Sequence, residues 1–453
     1  MIGVDIFYRK ILDDLKKWSI DKNRKPLILR GARQVGKTTV VEMFSKNFDQ
    51  YIYLNLEKKE ESELFDKNLN IHELIQTIFL YKNTVPSNGK ILLFIDEIQN
   101  SQNAVAMIRY FYEEAKQIYI IAAGSLLETM IGKKQISFPV GRVRFLFMYP
   151  LTFHEFLIAT EEKQALEFYN EIPFKELAYS KLLKLFHQYT LVGGMPEIVA
   201  NWIDKRDIVS LTPLFQGLLT SYLDDVSKYA RNHTMIEILR HTIESTPLEA
   251  GKRIKFQGFG SSNYKSREIS EALRTLEKAM LVYLLYPSTN TLPPIINDKK
   301  KSPRLQFLDT GLINFLAGLQ SDYFQIDNLD SIFKGRILEH IIGQELLAID
   351  SLRSQKISFW VREKKQSQAE IDFIIQYKDL LIPVEVKAGK AGKLKSLHLF
   401  MDKVEHKYAV RFYAGKFSKQ AVRTRAGKEF ILLNLPYFLV GRIFHYLEWF
   451  IER

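Results

Sequence analysis

At 453 residues, 46% hydrophobic and 26% charged, the chain is globular in composition and too long for one core, so two to four domains are expected. It has no cysteine, which excludes disulfides and thiolate metal sites and fits a reducing compartment. It also has no run near the ~18 uncharged apolar residues of a membrane helix. The net charge of +12 is uneven: residues 1–250 hold 31 Lys+Arg and 31 Asp+Glu, whereas residues 251–453 hold 33 and 21. A neutral front and a basic back suit contact of the back half with a polyanion such as nucleic acid, or a solvated basic surface that only aids solubility.

In chain order, acids interrupt the apolar residues of the N-terminus (Asp5, Asp13, Asp14), so it reads as an amphipathic helix and not a secretion signal. Cytoplasm is the default location. An apolar run, Leu27-Ile28-Leu29, then enters Gly31-Ala32-Arg33-Gln34-Val35-Gly36-Lys37-Thr38. This fits G-x-x-x-x-G-K-[ST] between a strand and a helix that continues through Thr39. Gly31 and Gly36 let the backbone turn its N–H groups inward as an anion nest, and the helix N-terminus adds unpaired donors. Lys37 can reach the β- and γ-phosphates, and the Thr38 hydroxyl can ligate Mg²⁺. Residues 31–39 are the expected nucleotide site.

Residues 51–56 read as a buried strand and residues 57–90 as a polar, helical connection. The run Ile91-Leu-Leu-Phe-Ile-Asp96-Glu97 puts two acids at the end of an apolar strand, 59 residues (96 − 37) after Lys37. A parallel strand delivers such acids to the ligand edge of the sheet. Asp96 is expected to hold Mg²⁺ through water, and Glu97 to orient or deprotonate the attacking water. A helix at 101–116 and a strand from Ile118 follow, ending at Gly124-Ser125. Ser125 either senses the γ-phosphate or closes a turn. Arg142 is either a finger for transition-state charge or a surface cation.

The segments RGARQVGKTT, FIDEIQN, AAGSLLE, PVGRVRFLFMYPLTFHEF and GGMPEIV (residues 193–199) together resemble prokaryotic AAA-superfamily ATPases that carry a C-terminal domain of restriction-endonuclease type. The resemblance runs almost the full length, and PLTFHEF and GGMPEIV are its narrowest segments. It implies that Lys37, Thr38, Asp96 and Glu97 bind and hydrolyse ATP with Mg²⁺, and that Ser125 is the first sensor. It also implies that Arg142 supplies the finger in cis or trans, and that copies assemble as a homo-oligomer.

Residues 157–245 show apolar spacings of three and four (Leu182, Leu185, Phe186, Tyr189) and read as a helical lid. Residues 246–330 begin as a basic, Gly/Ser-rich loop. A helix from Ser266 and strands at 281–286 and 304–308 follow, with Lys299-Lys300-Lys301 between the strands. This suggests a winged helix, which either meets DNA or only joins domains.

In residues 331–453 a helix presents Glu339, and Glu370-Ile371-Asp372 pairs as a hairpin with the strand holding Glu385-Val386-Lys387. Alternation puts Glu385 and Lys387 on one face. Carboxylates converging on a hard cation beside a Lys suit metal-assisted phosphodiester cleavage. The pattern resembles the restriction-endonuclease-like fold. Glu339, Asp372 and Glu385 are the implied Mg²⁺ ligands, and Asp372, Glu385 and Lys387 the implied catalytic groups. The alternative is a retained binding module whose Glu385–Lys387 pair is a surface salt bridge.

The expected fold is therefore α/β multidomain: an AAA-type P-loop ATPase core (1–156), a helical lid (157–245), a winged-helix-like segment (246–330) and a restriction-endonuclease-like domain (331–453). Three readings stay open: an ATPase coupled to a DNA-acting module, a nucleotide-gated switch, and a DNA-translocating motor. The third lacks any further helicase-type motif. DNA is favoured over RNA as partner, and no membrane is expected.

Overall fold

The apolar runs that begin at Leu27, Ile91 and Ile118 become neighbouring strands of one sheet. The computed structural model describes residues 7–67, 69–124, 141–319, 335–354, 357–362, 369–389 and 394–452. It divides into two units: Met1–Tyr149 with Ser227–Arg231 and Arg274–Leu281, and Pro150–Val226 with Asn232–Leu273 and Val282–Arg453. Among the described residues no helix is long and apolar enough to cross a membrane.

The first unit holds β1 (Leu27–Gly31), β2 (Gln50–Asn55), β3 (Ile91–Asp96), β4 (Ile118–Ala123) and β5 (Arg144–Met148) in the order β2-β3-β4-β1-β5. Every neighbouring pair is parallel. Parallel pairing requires a crossover for each connection, and the helices Lys37–Ser45, Ile71–Tyr81 and Gln102–Glu114 supply three. The sheet is covered on both faces, so β3 and β4 are buried along all six residues of each. One face packs Ile52, Leu54, Leu93 and Ile95 against Leu74, Ile78, Val105 and Phe111. Elsewhere in the unit, Trp18 meets Phe44 and Tyr119, and Phe48 closes the ring cluster. Helix starts are specified locally: Asn70 and Glu73 form a reciprocal cap, and the Ser101 hydroxyl accepts from the Ala104 N–H.

The second unit holds a seven-stranded mixed sheet, a two-stranded ribbon and most of the helices. The ribbon pairs β6 (Val282–Leu285) antiparallel with β8 (Arg304–Phe307), both within the spans expected for strands. The large sheet adds β7 (Pro287–Ser288), β9 (Ser358–Val361), β10 (Glu370–Tyr377), β11 (Leu380–Lys387), β12 (Tyr408–Tyr413), β13 (Ser418–Arg423) and β14 (Glu429–Pro436). Their order is β13-β14-β12-β11-β10-β9-β7. The β9–β10–β11 run is an antiparallel meander, and β12 then lies parallel to β11. Helix Lys395–Met401 makes that crossover and buries Leu397, Phe400 and Met401 against Trp360, Ile371 and Ile374.

The PLTFHEF and GGMPEIV segments meet through backbone. Leu151 and Gly194 are hydrogen bonded (N···O 2.7 Å), and a Cβ on Gly194 would lie 2.2 Å from the Leu151 carbonyl oxygen. Gly193 takes φ +80°, and the Gly194 N–H donates to Asp309 Oδ2 at 2.7 Å. Thr152 and Glu155 cap the helix Phe153–Ala159. The Phe153 N–H donates to the buried Glu345 at 3.0 Å, and the Tyr189 hydroxyl lies 2.7 Å from the same oxygen. Both segments therefore lie within the second unit.

Candidate functional site

At the end of β1 there is no room for a side chain: a Cβ on Gly31 would lie 2.7 Å from the Met148 carbonyl oxygen and 2.9 Å from Val35. Gln34 (φ 65°) and Gly36 (φ 90°) take left-handed backbone, which a nest of inward N–H groups requires. Ala32 and Val35 are buried beneath the loop, and Arg33 is half-buried. The buried Arg9 guanidinium holds the loop from below, donating to the Val35 carbonyl at 2.9 Å and the Tyr149 carbonyl at 2.6 Å. Lys37, Thr38 and Thr39 form the first turn of the following helix, whose N-terminus favours anions.

Lys37 folds onto its own loop, donating to the carbonyls of Gly31 (3.1 Å) and Ala32 (2.9 Å). Burial pushes its pKa down, against the pull of Glu97 and Asp96. Among the described residues no carboxylate lies within ion-pair distance of it. At the end of β3, Asp96 Oδ2 accepts the Thr38 hydroxyl at 2.6 Å, and Oδ1 accepts the Glu97 N–H at 3.0 Å. The Tyr53 hydroxyl is 3.5 Å from Oδ2. Burial raises the Asp96 pKa, and the Thr38 hydrogen bond opposes that rise.

Glu97 turns out of the strand at φ 52°, and the Gln99 amide donates to its carboxylate. The other end of the Gln99 amide sits on Gly124, where an added Cβ would lie 2.2 Å from Oε1. Thr38 and Asp96 thus offer paired hard oxygens of the kind Mg²⁺ takes together with water, so the residues present fit that ion. Ser125 lies outside the described residues. Arg142 is in a half-exposed ion pair with Glu113, Nε to Oε1 2.5 Å, and Arg109 shares that carboxylate.

The C-terminal acids are arranged differently. Glu339, on helix Gly335–Ala348, is 3.2 Å from Nη1 of Arg304 on β8. Nη2 of Arg304 donates to Glu370 and is 3.8 Å from Asp372 Oδ1. The other Asp372 oxygen accepts the Val386 N–H at 2.7 Å. Glu385, buried on β11, is paired with Lys387 two residues along the same strand. Burial and the nearby Asp372 raise the pKa of both Glu339 and Glu385, against the pull of Arg304 and Lys387. The strands do bring Asp372, Glu385 and Lys387 together. Among the described residues, however, no three acidic or histidine side chains are grouped to hold a metal ion. As arranged, the cluster does not fit one.

Arg9, Tyr53, Gln99, Arg304 and Glu370 have no assigned task in the sequence reading. Three of them carried a signal. Gln99 follows Glu97 by two residues, Glu370 shares a strand face with Asp372, and Arg304 is a charge at the start of a short strand.

Residues 23–157 match the family model described as an AAA domain. Residues 183–323 and 334–436 match two domains of unknown function, DUF8612 and DUF4143. The chain is thus a mixed α/β multidomain protein with an N-terminal P-loop ATPase-like fold. No curated protein sequence matches it. Among solved structures, it resembles the Walker-type ATPase PABY2304 of Pyrococcus abyssi at 13% identity, covering 69% of this chain and 96% of that one, TM-score 0.44. It also resembles the ORC2 protein of Aeropyrum pernix in its ADPNP–ADP complexes (11% identity, 71% and 96% covered, TM-score 0.31). AMPPCP-bound DnaA of Aquifex aeolicus is a further neighbour (14% identity, 60% and 87% covered, TM-score 0.27). At these scores the structural neighbours carry no argument about this chain.

Proposed function

We propose that the first unit binds and hydrolyses ATP with Mg²⁺. The observation that carries this is the Lys37–Thr38–Asp96 arrangement: a buried ammonium held by two carbonyls, beside a hydroxyl and a carboxylate 2.6 Å apart. In this reading residues 31–39 cradle the phosphates and Lys37 meets the β- and γ-oxygens. Thr38 and Asp96 hold Mg²⁺, which neutralises charge on the phosphates. Glu97 is the base for the attacking water, and Gln99 sets its direction. Ser125 as sensor and Arg142 as a finger acting between copies of a homo-oligomer complete the proposal. The finger would require Arg142 to leave Glu113. A cytoplasmic location belongs to the same reading.

We further read residues 157–245 as a lid, 246–330 as a winged-helix-like segment and 331–453 as a restriction-endonuclease-like fold. The last is supported by its element order: helix, antiparallel meander, helix, parallel strand. The basic excess of residues 251–453 supports binding of DNA. Metal-dependent cleavage by Asp372, Glu385 and Lys387 is the weaker part, because their neighbours already pair these acids with cations. That observation favours a second reading, in which ATP switches the protein and the C-terminal fold is a docking or DNA-binding platform. The deciding experiment is ATP turnover of the wild type and Lys37→Ala, each with and without double-stranded DNA. DNA-stimulated turnover lost in the variant supports the coupled ATPase. Tight ATP binding with negligible turnover supports the switch, and no ATP binding sinks both.

A further inference from the structure

The C-terminal cluster contains a cation of its own. Arg304 comes from β8, outside the hairpin that carries Asp372, Glu385 and Lys387, and its side chain is only 5% exposed. Its guanidinium touches Glu339 and Glu370, approaches Asp372 Oδ1, and donates through Nη1 to the Asp372 main-chain carbonyl at 2.9 Å. The ring centres of Phe359 and Phe373 lie 5.0 and 5.7 Å from its central carbon, so the group is stacked as well as hydrogen bonded. Arg253 adds a second cation, 3.3 Å from the other Glu370 oxygen and over the same Phe359 ring.

A planar group with five N–H donors can serve several carboxylates on separate elements at once. A divalent ion instead needs converging oxygens about 2.0–2.6 Å away. Here Arg304 separates Glu339 from Glu370, one Asp372 oxygen is held by the Val386 N–H, and Lys387 holds Glu385. Arg253, Arg304 and Lys387 face the four carboxylates, so three of the four negative charges that would attract a metal are offset from within the protein.

We propose that Arg304 is the resident cation of this cluster and stands in place of the divalent metal that the Asp372…Glu385-x-Lys387 pattern implies. The cluster is then an ion-paired joint tying β8 to β10 and to helix Gly335–Ala348, closed to metal and inactive as a nuclease. This stands apart from the ATPase reading, since none of these residues belongs to the nucleotide site.

The test titrates Mn²⁺ into the nucleotide-free full chain and measures free Mn²⁺ by electron paramagnetic resonance. Each protein is paired with its own Asp372→Asn version, so that only binding removed by that change is counted. The wild type is expected to show no such site. Folded Arg304→Met is expected to gain one Mn²⁺ per chain, on Glu339, Glu370 and Asp372. Should Arg304→Met not fold, Arg304→Gln, which keeps an amide donor for the same acids but removes the cation, is read in the same way. An Asp372-dependent Mn²⁺ site in the wild type overturns the proposal, as does a folded variant that gains none. Mn²⁺-dependent plasmid nicking by the wild type, lost in Asp372→Asn, overturns it independently of any ATPase result.

Discussion

At the P-loop, charged side chains lean on neutral groups; in the C-terminal cluster they lean on one another. Lys37 is held by two carbonyls, Asp96 by a hydroxyl and an amide N–H, and Glu97 by the Gln99 amide. Arg304 and Lys387, by contrast, are held by Glu339, Glu370 and Glu385. Both sets are built from strands and one neighbouring helix, and both pass as catalytic patterns in the sequence. The difference is that neutral partners orient a charge without cancelling it, so its field stays available to a phosphate or a metal. Ion pairs satisfy the charge internally, and opening one leaves a buried ion uncompensated.

The sharpest way to break this comparison is Lys37→Ala. Losing a buried cation held by carbonyls should cut ATP turnover by about 10²-fold or more in a phosphate-release assay. Its melting temperature, read alongside, separates loss of the ammonium from loss of the loop's own fold, since the Gly31 and Ala32 carbonyls it serves are in buried residues. Near wild-type turnover would remove the distinction between the clusters.

Arg304→Met should do the reverse, leaving turnover alone and costing stability. Three carboxylates would then face each other without their cation, at about 3–5 kcal/mol. In a unit of this size that corresponds to a melting temperature lower by roughly 10 °C, read by calorimetry. An unchanged melting temperature would mean that the pairs contribute no more than surface ones do.

Gln99→Leu refines the first half of the comparison. It removes the amide that holds Glu97 but keeps the volume near Gly124, so kcat should fall by roughly tenfold with KM for ATP almost unchanged. Equal losses in ATP binding would instead assign Gln99 to the loop's structure.

The smallest effect concerns protons. Burial lowers the His340 pKa to about 3 and the His187 pKa to about 4, both below the ordinary 6.5. His340 Nε2 accepts the Phe307 N–H at 2.9 Å, and Nδ1 faces the Thr310 hydroxyl at 2.9 Å, so the neutral ring is the one that fits. Because the folded values lie below the unfolded one, the unfolded chain binds more protons between them. The stability contributed by these rings is complete above pH 6.5 and declines as pH falls toward 4 and 3. Melting temperatures measured from pH 7 downward should follow that slope, and His340→Asn should make it shallower.

Much of this was legible in the sequence because it depends on contiguous backbone. The loop from Gly31 to Thr38 and the apolar runs ending at Asp96 and Ala123 each specify their structure within a few residues. The β6, β8, β10 and β11 strands could be read from short apolar runs, turn residues and, on β11, alternation. The partners of those residues could not. Whether Glu339 and Asp372 meet a metal or an arginine depends on where β8 falls beside β10.

By itself, then, the sequence determined the phosphate loop, the acid-tipped strand and the uneven spread of charge, since these follow from residue type and short spacing. Only the tertiary structure decided that Gly194 lies against Leu151, that Arg9 props the loop from below and that Gln99 reaches Gly124. It alone brought Arg304 to Glu370, 66 residues away in the chain, and so gave the C-terminal acids a cation from within the protein. Strand register and burial set those meetings, and no local pattern encodes which charges a fold will bring face to face.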